Sequence, residues 1–162
     1  STDALAGWFG REARHRYSNP AHRLVLADNG GSNGSRSWLW KHFLQTKFCS
    51  RFDCAVIVCH YPPGTSKWNP IEHRLFSAIS RNWAAQPLET VETLLKYIRT
   101  TQTSTGLRAT ATLNRRKYSK GLKVSTDDRA RLNLRPHRVL PRWNYTLRPN
   151  RSPSQQQPRK IM

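Results

Sequence analysis

The sequence predicts an α/β layer domain, and three observations carry that expectation. Two short apolar runs, Arg23 to Ala27 and Cys54 to His60, have the length and composition of buried strands. Each is followed by a turn and then by a stretch of helical periodicity. The resulting order, strand, helix, strand, helix, helix, is that of a layered sheet with at least two parallel strands.

The elements follow in order. Residues 3 to 15 place Leu5, Trp8, Phe9 and Ala13 at helical spacing, and Thr2 or Asp3 can cap the start. Asn19 and Pro20 end that pattern. The first strand runs into Asp28-Asn29-Gly30-Gly31-Ser32-Asn33-Gly34, a glycine-rich turn. Ser35 to Lys47 reads as a helix that buries Leu39, Phe43 and Leu44. After the second strand, Pro62, Pro63 and Gly64 shape a loop towards Asn69. A helix is expected from Pro70 to about Trp83, with Ile71, Leu75, Phe76 and Ile79 inward. Another covers Glu89 to Thr101, with Val91, Leu94, Leu95 and Ile98 inward. Leu107 to Leu113 alternates as a half-exposed strand or extended arm. Ser125 caps a short helix over Thr126 to Leu132, and Trp143 to Leu147 suits a last strand. Ser152 to Pro158 has the composition of a disordered tail.

The chain has 162 residues, enough for one core. Lys and Arg number 28 against nine acidic residues, a net charge of +19. Such an excess identifies partners rather than a fold, and nucleic acid is the leading one. No apolar run reaches the roughly 18 residues of a spanning helix, so a membrane partner is set aside. The stretch from Ser1 to Leu5 carries neither an initiator Met nor a signal peptide, and it reads as the interior of a longer protein. Cys49, Cys54 and Cys59 fit no common zinc spacing, and small apolar roles suit Cys54 and Cys59. A reducing cytoplasmic compartment follows from that usage.

Two carboxylates stand out. Asp28 closes the first apolar run, where strand ends in α/β sheets bind ligands. By itself an Asp before Asn-Gly is also an ordinary turn residue. Glu72 follows Asn69 and Pro70, which equally makes a capping-box pattern with Glu72 at the third helical position. The long loop before it, with Lys67 and Trp68, exceeds what a cap requires. The loop leaves the second strand at the sheet edge where Asp28 lies, so the two carboxylates are expected to converge. Together they suit Mg²⁺ or Mn²⁺, which take oxygen ligands and keep several waters. Two such ions hold the attacking and leaving oxygens of a displacement at phosphorus.

The segments Leu26 to Gly34 and His60 to Ser77 resemble DDE-type transposases of bacterial insertion sequences, specifically the ISAzo-type family. Thr105-Gly106-Leu107 and Trp143-Asn144-Tyr145-Thr146 share the resemblance, which covers most of residues 3 to 149. It implies a ribonuclease-H-like fold, here incomplete and lacking its N-terminal strands. It implies DNA end cleavage and strand transfer by three acidic residues and two Mg²⁺ ions. Asp28 matches the family's second Asp and Glu72 its terminal Glu, as catalytic and metal-binding residues. The first Asp belongs to a strand upstream of residue 3, and Asp3, at the head of a helix, is a poor substitute. Asn29 replaces an expected Gly, which a left-handed turn tolerates.

The resemblance further implies DNA as the partner, both insertion-sequence ends and target, a bacterial cytoplasmic and nucleoid-associated location, and self-association of the full-length protein. Residues 1–149 are expected to form the partial catalytic domain and 150–162 a basic tail. Lys67, Trp68, Arg74, Arg142 and Arg148 are the expected DNA contacts, with Trp38, Trp40, Trp83 and Trp143 assigned to the core. His60 and His73 are expected to support the site or the core. The competing expectation is a basic DNA-binding remnant without catalytic activity.

Overall fold

The computed structural model describes residues 2–17, 22–119 and 121–150. In chain order, α1 (Thr2–Trp8) continues through a π-helical turn, Phe9–Ala13, into α2 (Arg14–Arg16). β1 (His22–Ala27) leads to a 3-10 turn at Gly31–Asn33. α3 (Trp38–Leu44), a π-helical segment Gln45–Cys49 and α4 (Ser50–Phe52) form one continuous helical stretch. β2 (Ala55–His60) precedes a 3-10 turn, Ser66–Trp68. A π-helical segment, Glu72–Phe76, then runs into α5 (Ser77–Asn82). α6 (Val91–Thr100), α7 (Thr126–Ala130), β3 (Leu134–Pro136) and β4 (Asn144–Leu147) complete the described chain.

These elements make two compact units. A sheet unit comprises Ser1–Pro63 and Gly121–Met162, and a helical unit comprises Gly64–Lys120. The architecture of the sheet unit is α/β, a four-stranded mixed sheet with flanking helices, compatible with a ribonuclease-H-like fold. Strand order is β1-β2-β4-β3. β1 and β2 are parallel, as their spacing in sequence predicts, with Ala27 opposite His60 at their carboxyl ends. β4 runs antiparallel to both β2 and β3. β3 escapes sequence reading because it is three residues long and contains Pro136. That proline is tolerated because β3 is an edge strand.

One face of this sheet carries the core. Val56 and Val58 of β2 alternate with outward residues, and Tyr145 and Leu147 of β4 lie on the same side. Trp40, Leu44, Phe48 and Cys49 from the long helical stretch close over them. Phe9 adds an aromatic cluster, its ring 5.1 Å from Phe48 and 4.8 Å from Phe52. These contacts favour tilted and edge-on geometry, as aromatic quadrupoles do. On the opposite face Leu24 and Leu26 of β1 stay largely exposed.

The helix expected from Ser35 begins at Trp38 instead, because Ser37 is the cap and its Oγ accepts the Trp40 amide at 3.2 Å. It also runs on beyond Lys47 to Phe52. Its buried stripe is Trp40, Leu44 and Phe48, spaced by four, so Leu39 and Phe43 are only half-buried. Cys54 is buried in the turn before β2 rather than in the strand. Asn19, Pro20 and the tail from Ser152 to Pro158 lie outside the described residues.

The helical unit is thinner. Ala78 and Ile79 of α5 are buried, and Asn82 Nδ2 donates to the Tyr97 carbonyl of α6 at 2.6 Å. Ile71 and Phe76, expected inward, are exposed. Phe76 lies in the π-helical turn Glu72–Phe76, whose wider turn shifts it off the stripe that 3.6-residue spacing predicts, while Ile71 stands just before that turn at the start of the helix. α6 is capped by Thr90, whose Oγ1 accepts the Thr93 amide at 3.1 Å. None of its residues is fully buried, and Val91 is exposed, so its apolar face is less covered than its periodicity predicts. Leu107 to Leu113 forms no strand; only the Gln102–Arg108 bridge pairs, and the rest is an extended arm.

Candidate active-site residues

Asp28 stands one residue beyond β1, at the carboxyl end of the parallel pair. Its place is fixed from both sides of the backbone. The Tyr61 amide donates to the Ala27 carbonyl at 2.8 Å, extending the β1–β2 alignment past the strands. Beneath the loop, His60 Nδ1 lies 3.3 Å from the Asp28 carbonyl oxygen. A carbonyl only accepts, so the proton sits on Nδ1 and leaves Nε2 as an acceptor. The Tyr145 hydroxyl, 3.1 Å away, fills that role as donor. Trp40 Nε1 in turn donates to the Tyr145 oxygen at 3.0 Å. Burial pushes the Tyr145 phenol well above its ordinary range and the His60 imidazole below its own. Both shifts have desolvation as their largest cause, and both favour the neutral relay that the hydrogen bonds require.

The glycine-rich loop holds the Asp28 side chain outward. Asn33 Nδ2 donates to Asp28 Oδ1 at 3.0 Å, and the side chain is exposed. Asn29 Oδ1 accepts the Ser35 amide at 2.9 Å and so ties the loop to the approach of α3. The left-handed residue of the loop is Gly31, at φ 61°, rather than Asn29. Asn29 therefore serves through its side-chain amide and not through backbone tolerance. Gly34 is needed for space: a Cβ there would come within 3.2 Å of the Asn29 carbonyl oxygen.

Glu72 belongs to the helical unit and opens the π-helical segment there. Asn69 Oδ1 accepts the Ile71 amide at 3.2 Å, the expected cap. The reciprocal half of a capping box takes a different form, with Asn69 Nδ2 donating to Glu72 Oε1 at 3.4 Å. A long contact to one oxygen leaves the carboxylate with acceptor capacity. His73 Nε2 donates to the Lys67 carbonyl at 2.7 Å and fastens the 3-10 turn to the helix. Lys67, Trp68 and Arg74 are exposed around that junction. In the sheet unit Arg142 and Arg148 are exposed at the two ends of β4.

Within the sheet unit, then, Asp28, Asn33 and His60 come together. Within the helical unit, Lys67, Asn69, Glu72 and His73 do. The sequence singled out Asp28, Glu72 and both histidines but missed Asn33 and the Trp40–Tyr145–His60 chain. A second Asn five residues after Asp28, inside a glycine-rich run, was the available signal for Asn33. The Trp40–Tyr145 pair spans 105 residues and leaves no local trace.

Hard oxygen donors of this kind suit Mg²⁺ or Mn²⁺. Among the described residues no group of three or more His, Cys, Asp and Glu converges. A hollow of about 330 Å³ in the helical unit, lined by Arg81, Asn82, Gln102, Thr103 and Ser104, contains no carboxylate. The three cysteines are free, and burial pushes the Cys49 thiol up to about 12, so it is no nucleophile at neutral pH.

Comparison with protein families matches residues 1–149 to the Rhodopirellula transposase DDE domain. The chain belongs to this family of DDE-type insertion-sequence transposases. The family's general work is DNA transposition, and its chemistry generally uses divalent metals. No curated protein and no solved structure matches the chain. Among the described residues no helix is long and apolar enough to cross a membrane.

Proposed function

We propose that Asp28 and Glu72 are two of the carboxylates with which this transposase holds divalent metal for phosphoryl transfer on DNA. The observation that carries the reading is the seat of Asp28. Its backbone is pinned by Tyr61 and His60 at the aligned ends of β1 and β2, while its carboxylate is exposed and accepts from Asn33. A side chain needed only for a turn has no use for a buried relay beneath it. The chain leaves the sheet at that same edge, and Glu72 follows nine residues after Pro63.

In this reading Asp28 and Glu72 bind the metal, Mg²⁺ or Mn²⁺, and Asn33 orients one Asp28 oxygen. A bound divalent ion supplies charge stabilisation at the phosphate oxygens during in-line displacement. Lys67, Trp68 and Arg74 hold the DNA backbone beside Glu72, and Arg142 and Arg148 hold it at the sheet. The family's site uses three carboxylates and two ions. A second reading is favoured by the net charge of +19: a basic DNA-binding protein that holds nucleic acid without cleaving it.

Two measurements separate these readings. Mn²⁺ binding, followed by paramagnetic relaxation, should weaken about tenfold or more in Asp28→Asn and in Glu72→Gln. Equal Mn²⁺ affinity in all three proteins would remove both residues from the metal site. A nicking assay on duplex DNA should show little cleavage by the chain as given. Strong Mg²⁺-dependent cleavage that is lost in Glu72→Gln would show that two carboxylates suffice and would overturn the second reading.

A further inference from the structure

The transposase reading absorbs the basic residues near Glu72 and β4 but leaves a third group unused. Residues 93–126 contain eight Lys and Arg and no Asp or Glu. Their densest part, Arg115-Arg116-Lys117, lies on the arm that follows α6, where residues 112–119 are all exposed and form neither helix nor strand. The whole helical unit has only Glu72, Glu89 and Glu92 against ten basic residues. Two ion pairs among the described residues, Arg16 with Glu12 and Lys47 with Asp3, both lie in the sheet unit.

An exposed run of like charge is most simply a solvated linker, and such a linker has no reason to hold a shape. This one does. Arg99 Nε donates to the Ala111 carbonyl at 2.9 Å and fastens the start of the arm to α6. Asn114 then builds a bend from both ends of its amide. Its Oδ1 accepts the Arg116 amide at 3.0 Å, and its Nδ2 donates to the Tyr118 hydroxyl at 2.5 Å. The three cations are therefore carried on a bend closed by Asn114 and Tyr118. Crowding them there costs repulsion, which a line of phosphates offsets.

We propose that the Asn114–Tyr118 bend is a duplex-DNA clamp in which Arg115, Arg116 and Lys117 neutralise backbone phosphates. The proposal rests on the transposase reading and names a further DNA contact of the same protein. The cations act as charges, so binding there is tolerant of sequence and steep in salt. The bend sets their spacing, and Tyr118 serves as its latch.

The test uses the full chain and a fluorescent duplex of random sequence, titrated at several salt concentrations. Arg115→Ala/Arg116→Ala/Lys117→Ala should lower the slope of log affinity against log salt by about 2–3, near 0.9 for each phosphate no longer neutralised. A control of equal charge loss, Arg11→Ala/Arg16→Ala/Arg51→Ala in the sheet unit, should retain the wild-type slope. Replacing Arg115 and Arg116 by Lys should also retain it. An arm variant with the wild-type slope overturns the clamp alone, as does a control whose slope falls as far. A wild-type chain that fails to bind duplex at low salt overturns both the clamp and the transposase reading. Binding to phosphatidylserine vesicles as tight as to duplex, with the same arm dependence, assigns the bend to anionic surfaces and overturns the DNA assignment.

Discussion

The two units differ in how they hold a carboxylate. The sheet unit seats Asp28 above a core in which Leu44, Val56, Val58 and Leu147 are fully inaccessible. The helical unit seats Glu72 on a π-helical turn flanked by exposed Ile71 and Phe76, with Ala78 and Ile79 as its buried aliphatic residues. One acidic residue rests on close packing and a buried relay, the other on a cap and one long hydrogen bond. The lesson is that an acidic residue can be held over a packed core or by local hydrogen bonds alone. Local opening draws on segments with few buried apolar contacts, so the segment carrying Glu72 is expected to exchange its amides faster than the one carrying Asp28.

The comparison breaks most severely at the core. Leu147→Ala should cost about 3–5 kcal/mol, because β4 cannot collapse to fill the cavity between β2 and the long helical stretch. Denaturant melts of the whole chain measure it. Ile79→Ala should cost nearer ~2 kcal/mol, since the site is thinly packed and relaxes more easily. Equal losses at the two positions would mean that the units are equally consolidated.

Tyr145→Phe comes next. It leaves the Trp40 indole N–H and His60 Nε2 without their shared partner, at about 1–3 kcal/mol for buried polar groups. Its sharper readout is at Asp28: Mn²⁺ affinity should fall although no ligand has changed, whereas a purely structural tyrosine would leave it intact. Thr90→Ala should cost about 1 kcal/mol through the lost cap of α6 and raise amide exchange there without touching β2 or β4.

The mildest probe is chemical. Cys59 is half-buried, while Cys49 and Cys54 are buried, so a thiol reagent should modify Cys59 first and the others only on unfolding. Burial keeps Cys49 protonated in the folded state up to about pH 12, against about 9 when exposed. The unfolded chain therefore loses that proton first as pH rises, and the contribution of Cys49 to stability, complete below about pH 9, declines from there to about pH 12. Melts from about pH 8 upward should show the loss in wild type and less of it in Cys49→Ala.

Where the sequence served, it was because the signal was local. Two apolar runs of strand length located β1 and β2, and their separation by a helix implied parallel pairing. Ser125 declared itself as a cap, and its hydroxyl accepts the Asp128 amide at 3.0 Å, whereas the Thr90 cap was missed because the helix was expected to begin at Glu89. Regular 3.6-residue counting misplaced Phe76, which lies in the π-helical turn Glu72–Phe76, and it chose Leu39 and Phe43 over the buried stripe of Trp40, Leu44 and Phe48. The position of Asp28 at a strand end was legible from its place after the run and before the glycines. Its support was not, because Trp40 and Tyr145 reach it from opposite ends of the chain. The convergence of Asp28 with Glu72 remains the proposal that the metal experiment addresses.

The strand order has a consequence for how the protein is made. Val56 of β2 pairs with Leu147 of β4, about ninety residues later in the chain. At the ribosome's pace of about 5–20 residues per second, β2 waits roughly five to twenty seconds for its neighbour. During that interval the helical unit is synthesised while the Val56 and Val58 face has no Tyr145 or Leu147 to cover it. Non-local pairing of this kind is slow and exposes apolar surface to other nascent chains. A stop codon between Glu72 and Tyr145 would therefore leave Asp28 and Glu72 encoded and β2 without its β4 neighbour. Such a truncation would bare the Val56 and Val58 side of β2 even with both acidic residues intact.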